Sequence, residues 1–545
     1  MKKLSPVLAV LVFAVLALSL SACGSSSGDS GDSKGGTLKV SFAGFPDYLD
    51  PQLSYTAEGW SATYNTYIPL LTYAHAEGTE GSEVIPGLAE DLPQKSNDGK
   101  TYELTLVDGL KYSDGTPVKA SDYKATVERL FEMESPASPF FSDIVGAEDF
   151  LEGKADSIAG IETDDKTGRI TIDLNNPRGS FEAELAMPFT APVPPDTPAK
   201  PQTATPPPAT GPYEIVESNP GRGWSYARNP QWEKNNADLL PDLPGGHVDR
   251  IEATVISNQS TQVNDVEQGK TNWMFDPLPA DRVAAVKQKY EGTQLRVVPS
   301  ISTYFFWFNT TQPPFDDLKV RQAINHAIDP AALERIYAGE IAGTQQILPP
   351  GMPGYEKFEL YPFDLAKAKE MIAEANPSDK EITVWTNNLS PNDEATEYYE
   401  GVLRDLGFDV TLKVINPDNY FTLIGNTSTP DLDTGWLNWF EDYPHPNDFF
   451  QPLLSGESIA PTFNTNMAQL DNPELNARIE ELSAKELTPE VEGEYAQLDR
   501  EFMEEAPWAP FGNRTLTLFV SSDVDFDEVI WNPTFSGDLT SFQLK

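Results

Sequence analysis

The chain has 545 residues, too many for one core, so two or three domains are expected. An apolar content of 39% excludes a wholly disordered chain, and a formal charge of -46 argues against nucleic acid or an anionic membrane surface as partner. The acidity itself reads as solubility, in keeping with a salty habitat.

The start is basic, Met1-Lys2-Lys3, and Pro6 to Leu20 is an apolar run of signal-peptide length, too short to favour a spanning helix. Leu20-Ser21-Ala22-Cys23 comes next, with the chain's one cysteine. It is similar to the lipobox of bacterial lipoproteins, in which Cys23 is lipidated and becomes the first mature residue. A plain secretory signal is the alternative. Gly24 to Gly36, rich in Gly, Ser and Asp, reads as a flexible tether. One cysteine allows no internal disulfide, and His75, His247, His326 and His445 lack zinc-helix spacing, so no metal site and no cofactor are expected. Gly24 to Gly28 matches a nucleophile-elbow pattern without the strand and helix that motif needs.

Thr37 to Phe42 alternates as a strand, and Glu58 to Leu71 reads as a helix. Asp98-Gly99 marks a hairpin turn before an alternating run, and Ser121 is placed as the cap of a helix with Tyr123, Val127, Leu130 and Phe131 on one face. The ordered set Gly87-Leu88-Ala89, Asp98-Gly99, Tyr102, Leu104 and Tyr112-Ser113-Asp114-Gly115-Thr116-Pro117-Val118-Lys119-Ala120-Ser121-Asp122 resembles the signature of the peptide/nickel-type, family 5, solute-binding proteins of ABC importers. Tyr123 stands where that family usually has a small aliphatic residue.

Further along, Arg169 to Leu174 alternates, Pro188 to Pro212 reads as a stiff proline-dense crossover, and Tyr213 to Val216 and Gly223 to Arg228 read as a hairpin. Arg250 to Val255 reads as a strand, and Gln262 to Gly269 resembles the family's helix before a Gly-acid turn, although Lys270 stands in place of the acid. Ser302 to Asn309 is a very aromatic buried strand. The block from Pro314 to Pro330, with Val320, Ala323, Ile324, Ala327 and Ile328 on one stripe, is a second match to the same family, and His326 reads as structural. Helix and strand then alternate: Phe363 to Ala375, Glu381 to Thr386, Pro391 to Leu406, Asp409 to Val414, Asp418 to Ile424, Thr434 to Trp439. That is the rhythm of a parallel sheet. Pro473 to Leu482 and Pro489 to Glu505 read as the last helices, and Thr515 to Lys545 as strand and coil packing back on the first domain.

The stretch from Gly435 to Pro446 sets two indoles, a phenyl ring and a phenol beside two acids. Pro444 and Pro446 stiffen the loop after Tyr443. A carboxylate walled by rings suits a cation with an apolar body, such as a peptide amino terminus; a core strand with an ordinary turn after it is the bland reading.

The resemblance implies an α/β, two-lobed periplasmic-binding-protein-like fold of type II, in its large cluster, with an extra inserted domain. The expected division is signal peptide 1–22, lipidated tether 23–36, first lobe 37–72, inserted domain 73–205, first lobe again 206–303, third lobe 304–512, and a return to the first lobe at 513–545. In the family's peptide receptors a Trp-x-x-Asp stretch meets the guest. The resemblance therefore gives Asp442 the guest's ammonium and Trp439 a wall role, with Phe440, Trp436 and Tyr443 as further ligand-binding candidates. His445 stands where an acid is common; it would weaken ammonium recognition at low pH or simply face solvent. The implied protein is a monomeric receptor, anchored at the outer face of the cell membrane through Cys23, that hands peptides to ABC permease subunits. Alternatives are the same fold binding a sugar oligomer or metal chelate, or an extracellular enzyme such as a glycosidase, which no nucleophile or metal constellation supports.

Overall fold

The computed structural model describes residues 35–545. The expected signal peptide and lipidated Cys23 lie outside the described residues. Gly35 and Gly36, the last two residues of the expected tether, are already hydrogen-bonded, Gly35 to His247 O at 3.0 Å and Gly36 to Asp249 Oδ2 at 3.1 Å. Among the described residues no helix is long and apolar enough to cross a membrane.

The organising element is the 13-residue strand Trp508–Val520. Its first half pairs antiparallel with Ser302–Phe308, and its second half with Leu295–Pro299 and Trp273–Met274. It thereby joins two parts of one 12-stranded sheet. On one side the order runs through Ser302–Phe308, Thr434–Phe440, Glu381–Asn387 and Asp409–Ile415, the last three parallel with intervening helices as the α/β rhythm predicts. On the other side lie Thr37–Phe42, Arg250–Val255, Gly223–Arg228 and Tyr213–Asn219. Pro510, which cannot donate to a ladder, sits where the pairing with Ser302–Phe308 shifts register, the kind of place a central strand tolerates proline.

Every residue of Ser302–Phe308 is buried, because both faces of the strand are covered. Phe306 stacks on Tyr399 of helix Asn392–Asp405 at 4.1 Å between ring centres, and Phe305 stacks on Trp508 at 3.7 Å. A separate antiparallel sheet, Gln94–Ser96, Thr101–Thr105, Arg169–Asp173 and Ile161–Asp164, carries helix Ala120–Glu132 and has its own core. The hairpin turn at Asn97, Asp98 and Gly99 runs at positive φ, which its Asn-Asp-Gly sequence accommodates. The carboxy-terminal stretch packs on the first sheet through Trp531, Leu539 and Phe542. It is pinned by His75 Nδ1 against Asp538 Oδ2 at 2.5 Å.

Two readings of local structure need correcting. The first helix covers only Ala57–Thr63; Pro69 biases Ile68 away from helix, and Thr66 O accepts instead from Gly211 N at 2.8 Å. Ser121 is not a cap: the helix starts at Ala120, and Ser121 is held from outside by Asp165, through N at 2.9 Å and Oγ at 3.0 Å. Helix Asn447–Leu454 was not foreseen.

The inserted sheet's unit and the lobe of the parallel strands touch directly. Gly179 N donates to Ser483 O at 2.7 Å, and a Cβ on Gly179 would lie 1.7 Å from Lys485 O. Backbone on both sides leaves no side chain to give way. Gly179→Ala is therefore expected to hold the lobes apart, raising the radius of gyration of the empty protein in X-ray scattering and weakening guest binding by about tenfold. Unchanged scattering would show that this contact does not set closure.

Candidate functional site

Strand Thr434–Phe440 delivers the candidate residues to the boundary between the lobes, and its alternation decides which of them meet. Trp436 and Phe440 share one face with Tyr304, at ring distances of 5.9 and 6.1 Å. Trp439, at odd spacing from Trp436, stands on the other face. The two indoles therefore do not form one wall. Trp436 is 3% exposed and packed in the core, its Nε1 donating to Tyr337 OH at 3.1 Å, so it is a structural residue. Tyr443 is also buried, edge-on to Phe140 at 5.9 Å, and belongs to the core of the inserted unit. It plugs one lobe into the other and is no open cleft wall. Phe440 is exposed and Trp439 half-buried.

Asp442 comes just after the strand and sits half-buried at the lobe boundary. Tyr55 OH, from the first lobe, donates to its Oδ2 at 2.7 Å. Asp448, fully buried in the first turn of Asn447–Leu454, fixes the loop: its Oδ2 accepts from Asp442 N at 3.0 Å and from Trp439 Nε1 at 3.2 Å. One carboxylate thus positions both residues that the Trp-x-x-Asp pattern singled out. Among the described residues the Glu441 side chain has one hydrogen bond, from Thr534 Oγ1 at 3.4 Å, and its Oε2 is buried without a partner.

Three carboxyl groups therefore crowd one place, and among the described residues none of them forms an ion pair. Burial raises all three: Glu441 to about 8, Asp442 to about 7 against the opposing Tyr55 hydrogen bond, and Asp448 upward through burial and the charge of Asp442. A raised carboxylate favours the protonated folded form, so these groups withdraw stability from the empty protein as pH rises from the ordinary carboxylate range to about 8. A cation seated here favours ionisation. Binding of an ammonium guest is accordingly expected to expel protons, and affinity to fall as pH drops below about 7. Calorimetry in buffers of unlike protonation enthalpy near pH 6 measures this; zero protons released would contradict it.

His445 differs from both expectations placed on it. It is 2% exposed, and burial, with the nearby Arg178 charge as a lesser cause, lowers it to about 3. It is neither a cation nor solvent-facing across the pH range of interest. His326, read as structural, is buried between Pro362 O at 2.9 Å and Lys367 Nζ at 2.8 Å. Among the described residues there is no group of three His, Cys, Asp or Glu that could hold a metal ion. Tyr55 and Asp448 were missed by the sequence reading. Tyr55 lies 387 residues from its partner, beyond any local pattern, whereas Asp448 could have been sought as an acid in the first turn after the Pro-x-Pro loop.

Two α/β lobes spanned by one strand, with an uncompensated acidic loop at their junction, define a two-lobed solute-binding architecture. The chain belongs to the bacterial extracellular solute-binding proteins of family 5: the sequence model described as "Bacterial extracellular solute-binding proteins, family 5 Middle" matches residues 83–460. Heme-binding protein A of Haemophilus influenzae is 27% identical over 531 residues, covering 92% of this chain and 93% of that protein. Glutathione-binding protein GsiB of Escherichia coli K12 is 25% identical over 427 residues, covering 76% and 78%. Among solved structures, clavulanic acid biosynthesis oligopeptide binding protein 2 superposes with a TM-score of 0.86 at 25% identity, covering 94% of this chain and 96% of that one. DppA of Helicobacter pylori, in complex with peptide STSA, gives 0.73 at 22%, covering 94% and 98%, a likeness of fold.

Proposed function

We propose that this chain is the extracytoplasmic substrate-binding lipoprotein of an ABC importer, holding peptides between its lobes and delivering them to the permease without altering them. Asp442 takes the peptide's α-ammonium, Trp439 and Phe440 flank it, and Cys23 carries the lipid. The observation that carries this reading is a carboxylate at the lobe junction, fixed by Asp448 and bonded to a neutral phenol. It has a charge to offer, and among the described residues no ion-pair partner. The name of the oligopeptide binding protein among the similar structures supports a peptide guest. The names of the heme- and glutathione-binding relatives show that other solutes occur on this fold.

Titration calorimetry with a short peptide and its N-acetylated twin tests the reading. The free amine is expected to bind more than tenfold tighter, with the peptide recovered intact by mass spectrometry. Equal affinities would remove Asp442 from the ammonium role, and cleaved peptide would replace the receptor with an enzyme.

A further inference from the structure

A cavity of about 740 Å³ lies beside the same loop, between the lobes, and the candidate residues Asp442 and Trp439 are not among its walls. Its charge comes from Glu83, Glu182, Glu486, Glu492 and a single lysine, Lys95. Lys95 is already taken: it pairs with Glu182 at 2.7 Å and with Glu486. Glu83 from one side and Glu492 from the other hold no side-chain hydrogen bond or ion pair among the described residues. Two wall residues each carry a buried, unpartnered side-chain atom, Ser82 Oγ and His445 Nε2. The imidazole is neutral, and its Nδ1 accepts from Asn447 N at 3.1 Å, so its proton sits on Nε2. The wall thus holds a spare N–H donor, a spare hydroxyl and two spare carboxylates, with Val84 and Leu487 as apolar surface. An uncharged ligand would leave the carboxylates unanswered, and a small inorganic cation would leave the N–H donor so.

We propose that this cavity is a subsite for a basic residue of the guest peptide, a lysine or arginine whose main-chain oxygen meets His445 Nε2 and whose cationic head meets Glu83 and Glu492. The proposal rests on the peptide-receptor reading and adds a substrate class to it. The aliphatic stem of such a side chain matches the apolar wall, and the protein's field of -46 attracts a cationic guest over distance.

The test is a lysine scan of an all-alanine tetrapeptide, each lysine compared with norleucine at the same place, by calorimetry at about 0.15 M salt. It is run on the intact mature protein and on a Glu83→Gln, Glu492→Gln double variant, whose thermal midpoint checks folding. One position is expected to prefer lysine over norleucine by about tenfold in the parent protein, and that preference is expected to vanish in the double variant while all-alanine affinity stays unchanged. Lysine indifference at every position, or a preference that survives in the double variant, overturns the subsite. If the all-alanine peptide binds and N-acetylation weakens it, an indifferent scan sinks only this inference. If acetylation changes nothing, the parent reading falls instead, and if no peptide binds, both fall.

Discussion

Asp442→Asn is expected to weaken binding of a free-amino peptide by more than tenfold while leaving the empty protein folded and, at pH 8, more stable than its parent. Asparagine keeps the shape and an oxygen for Tyr55 OH, which donates at 2.7 Å in the parent. It removes the charge, and a hydrogen bond to an ionised group contributes about 1.5–3 kcal/mol, a factor of ten to over a hundred in affinity. The stability gain has the opposite origin. With Asp442 raised to about 7 by burial, its carboxylate is largely ionised at pH 8, at a cost that a neutral isostere does not bear. Asp448 still accepts from the main-chain N at 442 and from Trp439 Nε1, so the loop should keep its shape. A site whose loss of function raises the melting temperature marks a group retained for binding. A variant that binds normally, or melts lower at pH 8, would contradict the assignment.

The largest effect on stability is expected at Arg129. Its guanidinium clasps Asp50 with both Nη atoms, at 2.9 and 2.5 Å, reaches Gln52 Oε1 at 2.5 Å, and donates through Nε to Pro198 O at 3.0 Å. Asp50 is fully buried and also accepts from Gln202 N at 3.1 Å. One side chain on helix Ala120–Glu132 therefore ties the first lobe to the inserted unit and to the proline-dense crossover. Arg129→Met fills much of the volume but leaves the Asp50 charge buried and unpaired, which costs about 3–5 kcal/mol. Urea titration monitored by tryptophan fluorescence should show that loss. A change below about 1 kcal/mol would mean that water reaches Asp50 in the variant.

Much of the regular secondary structure was legible because its signals are local. Helix Pro489–Glu505 opens on a proline after a capping Thr488, and strand Arg250–Val255 alternates. The boundaries that went astray answer to distant chain: Thr66 O is claimed by Gly211, and Ser121 is held by Asp165. The site divides in the same way. Trp439 and Asp442 could be carried over from a motif. The separation of Trp436 from Trp439 comes from strand period, once it is known that the motif lies on a strand up to Phe440. Tyr443 could not be assigned from sequence, because its surroundings come from Phe140 in another unit. His445 was read as a low-pH cation or a solvent-facing ring; burial removes both options.

A double cycle tests the central idea most directly: parent and Asp442→Asn proteins, each titrated with a free-amino peptide and its N-acetylated twin. If carboxylate and ammonium act on each other, the parent should lose more than tenfold on acetylation, and the variant should bind both peptides with nearly equal, weak affinity. If both proteins lose the same factor on acetylation, the ammonium is read somewhere other than residue 442.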